Sequence, residues 1–474
     1  MRFRRVESTV TDAVADTDAV TDAVAVTDAV AVSVAVADEG TEPAARSGPW
    51  WNRKEIWATG WLLAALWAGT FPVVSSLDTH RLWGASAALG YAVAASVSYG
   101  LPGPRARRAA VTVALAGAVV LPLLFLVLTG RAQSEVEVIE RSGRLLLEQG
   151  TPYLPHPQEV SDYTPYLPAM ALLGIPKVLL GEHSWAARLL GDARIWCAAV
   201  FLLSLHVGRL LLRQPGPPAA CVGRRERAPY GTALAALVAS PVVALPLCVS
   251  GVDLPLTGLC CVALALAARG RPAAAGLALA VACSLKWTAW PAIAVVAALL
   301  VCVAGRRAAV RCAGTAVAGA ALLIVPSALL SPAAMVEQVL AFPTGRGDLQ
   351  TPAASPLPGR LLADLGTAGW YAAVGLLVCG ALTVAVSLVL RPPAHLRAAA
   401  DRLAIGLCVA FALAPAGRFG YLALPIVLMG WARLAGGPRQ PVPSLPVRGA
   451  RPVLAAYVAP PRRPYAPAGA GGNR

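Results

Sequence analysis

Lysine, and charge of any kind, is scarce in this 474-residue chain. Only 14% of the residues are charged, against about 25% in ordinary soluble domains, while 57% are apolar and the mean hydropathy is +0.63. These values argue against a disordered chain, a disulfide-rich secreted module and an ordinary soluble enzyme. Three lysines, Lys54, Lys177 and Lys286, stand among 37 arginines. Each surviving lysine is therefore a candidate functional group.

Three familiar kinds of site are also missing from the sequence. The ten cysteines lie mostly inside apolar runs and form no spaced set, which predicts neither a disulfide framework nor a zinc site. No spacing of His, Asp and Glu indicates a metal site, and no Gly-rich loop of the nucleotide-binding type is present. We therefore expect no metal, no cofactor and no nucleotide-sugar donor.

Low-complexity segments flank a long apolar region. Variants of TDAV repeat between residues 9 and 37, and the C-terminal segment is rich in Pro, Gly and Arg. We interpret 1–55 and 436–474 as disordered cytoplasmic tails and 56–435 as a transmembrane domain. Apolar runs near the length that spans a bilayer lie at about 56–76, 83–101, 109–129, 192–212, 229–249, 254–268, 272–288, 290–304, 309–330, 369–390, 402–415 and 419–435.

Arginines collect in every second connection between these runs. By the positive-inside rule those connections and both termini are cytoplasmic, which accounts for the net charge of +15 without a nucleic-acid partner. The outer face then holds two long loops, at about 130–191 and 331–368. The prediction is an all-α polytopic protein of the cell membrane with about twelve transmembrane helices, a large first outer loop and an active site on the outer face.

The first outer loop carries the most informative order of motifs. Glu135 to Leu147 predicts a short amphipathic helix on the membrane, which Gly150-Thr151-Pro152-Tyr153 ends. Tyr163 to Leu180 predicts a second helix, on the surface or partly embedded, because its prolines argue against a full span. Later, Gly251-Val252-Asp253 opens an apolar run, and Arg418 lies in the turn between the last two runs.

In this order the motifs resemble glycosyltransferase family 87, polytopic mannosyltransferases of the GT-C superfamily. The resemblance covers roughly 110–435 and implies a GT-C-like bundle and an inverting transferase. It also implies a polyprenyl-phosphate mannose donor and a cell-envelope glycolipid or lipoglycan acceptor, both in contact with membrane lipids. The family usually has Asp where this chain has Glu135. The residues that carry the resemblance are Glu135, Leu145-Leu146, Gly150, Pro152-Tyr153, Tyr163, Tyr166-Leu167-Pro168, Gly251-Val252-Asp253, Ala275-Gly276-Leu277, Leu285-Lys286-Trp287 and Arg418-Phe419-Gly420-Tyr421-Leu422.

A transferase of this kind needs a carboxylate that takes the proton of the acceptor hydroxyl. Glu135 is the first candidate, because Glu137 can pair with Arg141 at i+4 whereas Glu135 has only apolar residues at those spacings. Asp162 and Glu137 are the further candidates. The plainer readings are a solvated loop acid for Glu135 and a helix cap for Asp162.

The reaction also needs cations near the lipid phosphate and groups that hold the sugar. Lys286 and Arg418 are the candidate phosphate-binding residues, because an ionisable residue in an apolar run is a functional hypothesis and Arg418 breaks the positive-inside pattern. Tyr153, Tyr163 and Asp253 are the candidate sugar or acceptor contacts. The plainer readings are a snorkelling lysine, interface-belt tyrosines and a helix-capping aspartate.

Two other functions share parts of this pattern. A transporter or lipid flippase predicts paired charges within the membrane and internal repeats, and the sequence shows neither apart from Lys286. A polymerase or ligase that acts on a lipid-linked glycan would use the outer loop in the same way.

Overall fold

The computed structural model describes residues 53–101, 103–213 and 230–435. The tails predicted at 1–55 and 436–474 lie outside these ranges except for residues 53–55, as does most of the arginine-rich connection at 213–229. Within the described ranges the regular structure is helical, with one isolated β-bridge between Ala354 and Gly417.

The helices differ widely in length, and we number them in chain order. They are α1 (Lys54–Val74), α2 (Asp78–Gly100), α3 (Gly103–Leu115), α4 (Leu121–Leu128), α5 (Ser134–Gln149), α6 (Ile175–Leu180), α7 (Trp185–Gly191), α8 (Ala193–Leu212), α9 (Tyr230–Ala239), α10 (Pro241–Val249), α11 (Leu254–Ala268), α12 (Pro272–Leu285), α13 (Pro291–Ala304), α14 (Arg306–Leu330), α15 (Pro332–Val336), α16 (Pro358–Ala363), α17 (Thr367–Leu390), α18 (Leu396–Leu413) and α19 (Ala423–Ala435).

Six helical stretches of the described chain are long and apolar enough to cross a membrane, or seven if the bent pair α9–α10 is one span. The predicted all-α polytopic fold is thus confirmed, but the count of about twelve spans is not. Several runs predicted as spans form short helices, such as α11 with 15 residues and α12 with 14. At about 1.5 Å per residue, such helices are shorter than a bilayer core of about 30 Å.

The apolar run predicted as one span at 229–249 is broken. Helices α9 and α10 meet at an angle of 62° at Ser240–Pro241. Proline has no backbone N–H and clashes with the preceding turn, so it can begin α10 but cannot continue α9.

Small residues let the helices of the core approach closely. Gly90 of α2 lies against Gly117, and a Cβ added to Gly90 would come within 2.7 Å of the Gly117 Cα. Gly117 belongs to a π turn, Ala116–Val120, which joins α3 to α4. The Ala118 carbonyl in this turn accepts a hydrogen bond from the indole Nε1 of Trp83 at 2.9 Å. Close backbone contact of this kind is typical of membrane-helix packing.

The first long loop joins α4 to α8 and lies at what we call the loop end of the bundle. Helix α5 confirms the predicted amphipathic helix: it buries Val136 and Ile139 and ends at Gly150, which has a positive φ of 71°. Gln338, from the second long loop, is fully buried and bonds to both sides of the first loop. Its Oε1 accepts from the backbone N–H of Thr164 at 2.9 Å, and its Nε2 donates to the Leu154 carbonyl at 2.6 Å.

Candidate active site

Glu135 lies in the first turn of α5, and its carboxylate forms an ion pair with the guanidinium of Arg418, 283 residues along the chain. The Glu135 side chain is 16% exposed and that of Arg418 is 33% exposed. The partner that helix spacing does not supply to Glu135 therefore comes from the turn before α19. The pair remains open to solvent on one side.

The second long loop holds the turn that carries Arg418. The Gly417 backbone N–H donates to the Ala353 carbonyl, and the Ser355 N–H donates to the Gly417 carbonyl, both at 3.0 Å. The Phe419 N–H then donates to the Ser355 hydroxyl at 3.3 Å. These bonds fix the backbone on both sides of Arg418, so the side chain leaves a rigid turn.

Lys286 and Asp253 form a second ion pair, with 2.6 Å between Nζ and Oδ1. Lys286 lies in extended backbone after α12, before a 3-10 turn (Trp287–Ala289). Asp253 is the residue before α11, but its side chain caps no backbone N–H of that helix. The alternative interpretation of Asp253 as a helix cap is therefore not what the geometry shows, because its carboxylate turns to Lys286.

Two tyrosine rings lie against the Lys286–Asp253 pair, and one of them links it to the turn that carries Arg418. The Lys286 ammonium lies 4.6 Å from the ring centroid of Tyr421 and 5.6 Å from that of Tyr166. The Tyr421 backbone N–H donates to the Arg418 carbonyl at 3.0 Å, so the Arg418 turn also carries the ring against Lys286. Tyr166 is placed from the other side, because the Leu167 N–H donates to the Leu285 carbonyl at 3.0 Å.

These contacts bring four of the sequence-predicted residues together at the loop end of the bundle. We call Glu135, Arg418, Asp253 and Lys286 the open cluster. Lys286 has three N–H donors and one carboxylate partner, and Arg418 has five donors and one carboxylate partner. Both cations therefore retain donors for a further anion.

Tyr153 and Tyr163, the other predicted sugar contacts, lie inside the loop packing. Their exposed fractions are 0% and 2%. The Tyr153 hydroxyl donates to the Tyr166 carbonyl at 3.0 Å, and the Tyr163 ring stacks on Phe342 with 4.2 Å between centroids. In this conformation neither ring offers a face to a sugar, and the hydrogen bond from Tyr153 helps to fix the position of Tyr166.

Asp162 and Glu137 lie apart from the open cluster. The Asp162 carboxylate accepts the backbone N–H groups of Gln158 at 2.9 Å and Glu159 at 3.1 Å. These hydrogen bonds, with the charge of Arg141, hold the pKa of Asp162 below its usual value. Glu137 is exposed, two residues from Glu135 and so on another face of α5. Asp162 thus caps the start of the 3-10 turn Val160–Asp162 that it ends, and not the helix that follows it.

His80 is a neighbour of the open cluster that the sequence did not indicate. It lies in the first turn of α2, outside the run predicted to span at 83–101, and the Gln133 side-chain amide donates to its Nε2 at 2.9 Å. Burial lowers the pKa of His80 to about 4, and the charge of Arg418 adds to this shift. His80 is therefore neutral at neutral pH. Nothing in the sequence around His80 distinguishes it from the start of an ordinary apolar helix.

A second group of charges at the loop end is built differently. We call Asp192, Arg194 and Glu140 the closed cluster. The Arg194 side chain is fully buried: Nε and Nη2 donate to the two oxygens of Asp192 at 2.9 and 2.6 Å, and Nη1 donates to the carbonyls of Arg131 at 2.9 Å and Cys248 at 3.0 Å.

Glu140 adds a carboxylate to this cluster. It accepts the backbone N–H of Ala193 at 3.2 Å, at the start of α8. Burial raises the pKa of Glu140 to about 7, and the nearby charge of Asp192 adds to the rise. The only sequence signal for this cluster was the pair of charges in Asp192-Ala193-Arg194 at the start of an apolar run.

No set of three or more His, Cys, Asp or Glu side chains in the described ranges could hold a metal ion. The open cluster instead offers two cations with spare donors and a carboxylate beside each of them, with two aromatic rings against Lys286. Such a site can bind a phosphate and accept a proton close to it.

Comparison with known protein families identifies a family that the sequence of this chain matches. The sequence model of Glycosyltransferase family 87 matches residues 163–415, more than half of the chain. That stretch includes Asp253 and Lys286, whereas Arg418 lies three residues after it and Glu135 lies 28 residues before it. No curated protein matches the chain.

One solved structure is similar, the crystal structure of ArnT from Cupriavidus metallidurans bound to undecaprenyl phosphate. The TM-score is 0.42 and the sequence identity is 19%. The match covers 69% of this chain and 59% of that chain, so it spans less than two thirds of the length of ArnT.

Proposed function

Because this chain belongs to glycosyltransferase family 87, we propose that it moves a sugar, mannose, from a polyprenyl-phosphate donor to a cell-envelope glycolipid or lipoglycan. The observation that carries the proposal is the open cluster, at one end of a helical membrane bundle. It brings together two cations and the Glu135 carboxylate, which pairs with Arg418 and is still partly exposed to solvent. A donor whose tail stays in the bilayer can reach such a site only at the end of the bundle.

In this proposal Lys286 and Arg418 bind the donor phosphate. Each already pairs with one carboxylate, and each retains N–H donors for phosphate oxygens. As the bond between the sugar carbon and the phosphate oxygen breaks, negative charge grows on the phosphate and the two cations stabilise it. Asp253 holds Lys286 in place through its 2.6 Å ion pair.

Glu135 acts as the general base in the same step. The acceptor oxygen forms the new bond to the sugar carbon, its proton passes to the Glu135 carboxylate, and the lipid phosphate leaves. A single displacement of this kind inverts the configuration at the sugar carbon. Arg418 pairs with Glu135 before the donor binds. A donor phosphate that attracts the Arg418 guanidinium weakens this ion pair, and the Glu135 carboxylate then becomes free to accept a proton. Donor binding and activation of the base are therefore coupled through one guanidinium.

The loop end faces the outside of the cell membrane in this proposal, and both termini are cytoplasmic. The support is the arginine content of the connections at the opposite end of the bundle. Residues 56–435 then form the transmembrane domain, with tails at 1–55 and 436–474. With the C-terminus in the cytoplasm, a fusion of alkaline phosphatase to it should be inactive in intact cells. An active fusion would show that the orientation is the opposite one.

The test of the function uses the full chain in membranes, supplied with a synthetic polyprenyl-phosphate mannose and a lipid-extract acceptor. The wild-type protein should form a mannosylated lipid, and Glu135→Gln should lower the rate about 10²–10⁴-fold. Glu137→Gln, on the same helix, and Asp162→Asn are the matched controls and should retain most of the activity.

Three outcomes would contradict parts of the proposal. Full activity of Glu135→Gln together with loss in Asp162→Asn or Glu137→Gln would assign the base to that residue. Translocation of the donor across vesicles without a glycosidic product would favour a flippase. A longer or ligated glycan, in place of one added sugar, would favour a polymerase or ligase.

A further inference from the structure

A small cavity lies at the end of the bundle opposite the open cluster, where α1 begins, α2 ends and α3 begins. Its volume is about 50 Å³, and its lining includes Lys54, Ser98, Gly103 and Arg107. A cavity needs roughly 10–15 Å³ to hold one water. The space therefore suits a compact group of a few heavy atoms, such as a phosphate, and is too small for a sugar ring with its lipid.

The lining of this cavity has the charge and the donors that a phosphate requires. Lys54 and Arg107 both contribute to it. The Lys54 ammonium lies 4.8 Å from the ring centroid of Tyr99 and donates to the Tyr99 carbonyl at a long 3.4 Å, so Lys54 is held at the cavity. Gly103 opens α3, and the first N–H groups of a helix, with its dipole, favour an anion.

Ser98 supplies an independent polar group to the cavity. The residue is 2% exposed and lines the cavity. Its hydroxyl has no hydrogen-bond partner among the described residues. A buried hydroxyl without a partner is unfavourable, and a phosphate oxygen in the cavity would accept its hydrogen bond.

The position of the cavity indicates where the phosphate comes from. It lies at the ends of helices that reach into the membrane, and Trp57, a residue type that favours the membrane interface, also lines it. Anionic lipid headgroups concentrate at such a surface and attract basic residues. We propose that this cavity binds the phosphate of an anionic membrane lipid, at a site separate from the open cluster.

The test measures lipid binding to the purified full chain by native mass spectrometry after delipidation in detergent. Phosphatidic acid and phosphatidylcholine are titrated in separate arms, and inorganic phosphate is added as a competitor in a third. Wild-type protein should retain phosphatidic acid with at least tenfold higher affinity than phosphatidylcholine. Lys54→Gln/Arg107→Gln should lose this preference, and Ser98→Ala should weaken phosphatidic acid binding about fivefold, the scale of one hydrogen bond of about 1 kcal/mol.

The matched control is Arg306→Gln/Arg307→Gln, which removes two exposed charges at the start of α14, at the same end of the bundle. It should bind phosphatidic acid as the wild type does. An equal loss of phosphatidic acid binding in this control would show that binding depends only on general surface charge, and would overturn the site. Displacement of the lipid by millimolar inorganic phosphate would overturn the lipid as the source.

The same variants should transfer sugar at the wild-type rate at saturating donor, because none of their residues lies in the open cluster. Loss of lipid binding with sugar transfer intact would support the site and leave the proposed function standing. Absence of sugar transfer in the wild type, with selective lipid binding intact, would overturn only the proposed function.

Discussion

The open and closed clusters lie at the same end of the bundle and use the same residue types, but they satisfy their cations differently. Arg194 is fully buried and donates to Asp192 through two nitrogens and to two backbone carbonyls through a third. Lys286 and Arg418 each have one carboxylate partner; the Lys286 side chain is 8% exposed and that of Arg418 is 33% exposed. A cation whose donors are used up can only hold structure, whereas one with spare donors can bind a ligand.

This difference predicts opposite consequences when a cation is removed. Loss of the Arg194 side chain leaves the Asp192 carboxylate with only the backbone N–H of residue 194 and leaves two buried carbonyls without this donor, so folding should suffer. Loss of Lys286 leaves an aspartate that is still 20% exposed, so the protein should fold while its reaction suffers.

The largest expected effect is on stability, from Arg194→Leu. Breaking a buried ion pair by removing one partner costs about 3–5 kcal/mol, and this should appear as a lower free energy of unfolding in a detergent denaturation series. The control is Arg360→Leu, which removes a partly exposed partner of Asp364 at i+4. That change should cost no more than about 0.5 kcal/mol. Equal stability of the two variants would show that the closed cluster does not lock the fold.

The next effect is on the reaction, from Lys286→Gln. Removing a group that stabilises transition-state charge lowers turnover by about 10²–10³-fold, and a radiolabelled sugar-transfer assay would measure it. The Lys286→Gln/Asp253→Asn variant, which leaves no lone charge, should be equally slow and should unfold at the same temperature as the wild type. Lys177→Gln is the control, because Lys177 pairs with Glu182 in the short segment between α6 and α7. A normal rate in Lys286→Gln would remove Lys286 from the open cluster.

Sequence reasoning located the members of the open cluster better than their partners. Lys286 stood out because lysine is scarce, and Glu135 because helix spacing gave it no partner. The ion pairs themselves join residues 283 and 33 positions apart. Such pairings depend on how the loops pack, through the Ala353–Gly417 and Leu167–Leu285 backbone bonds, and no local pattern encodes them.

The fold shows the same limit. Apolar runs predict the helical membrane bundle. A run shows that a segment is apolar, but it does not show whether the helix through that segment is unbroken. The sequence contains Pro241, but the apolar run around it predicts one continuous span, whereas the helix breaks at Ser240–Pro241. The sequence does not predict the closed cluster, because Asp192 and Arg194 look like ordinary charges at the end of a helix. Only the fold brings the carbonyls of Arg131 and Cys248 and the Glu140 carboxylate around them.

The smallest effect concerns Glu140 and tests whether the closed cluster is purely structural. The folded-state pKa of about 7 lies above the ordinary value of 4.5. Between these values the unfolded chain has lost the Glu140 proton and the folded chain retains it, so the contribution of Glu140 to stability falls as the pH rises from about 4.5 to 7. Above pH 7 the contribution stays at its low value.

Glu140→Gln should remove this dependence, because a glutamine keeps the oxygen that accepts from Ala193 and has no proton to lose. The variant should therefore melt at a higher temperature than the wild type at pH 8, and the difference should shrink towards pH 4.5. Glu137→Gln, on the exposed face of the same helix, is the control in thermal melts over this range. If Glu140→Gln instead shifted the pH profile of sugar transfer and left the melting curve unchanged, Glu140 would belong with the open cluster, because a purely structural carboxylate alters folding and not the reaction.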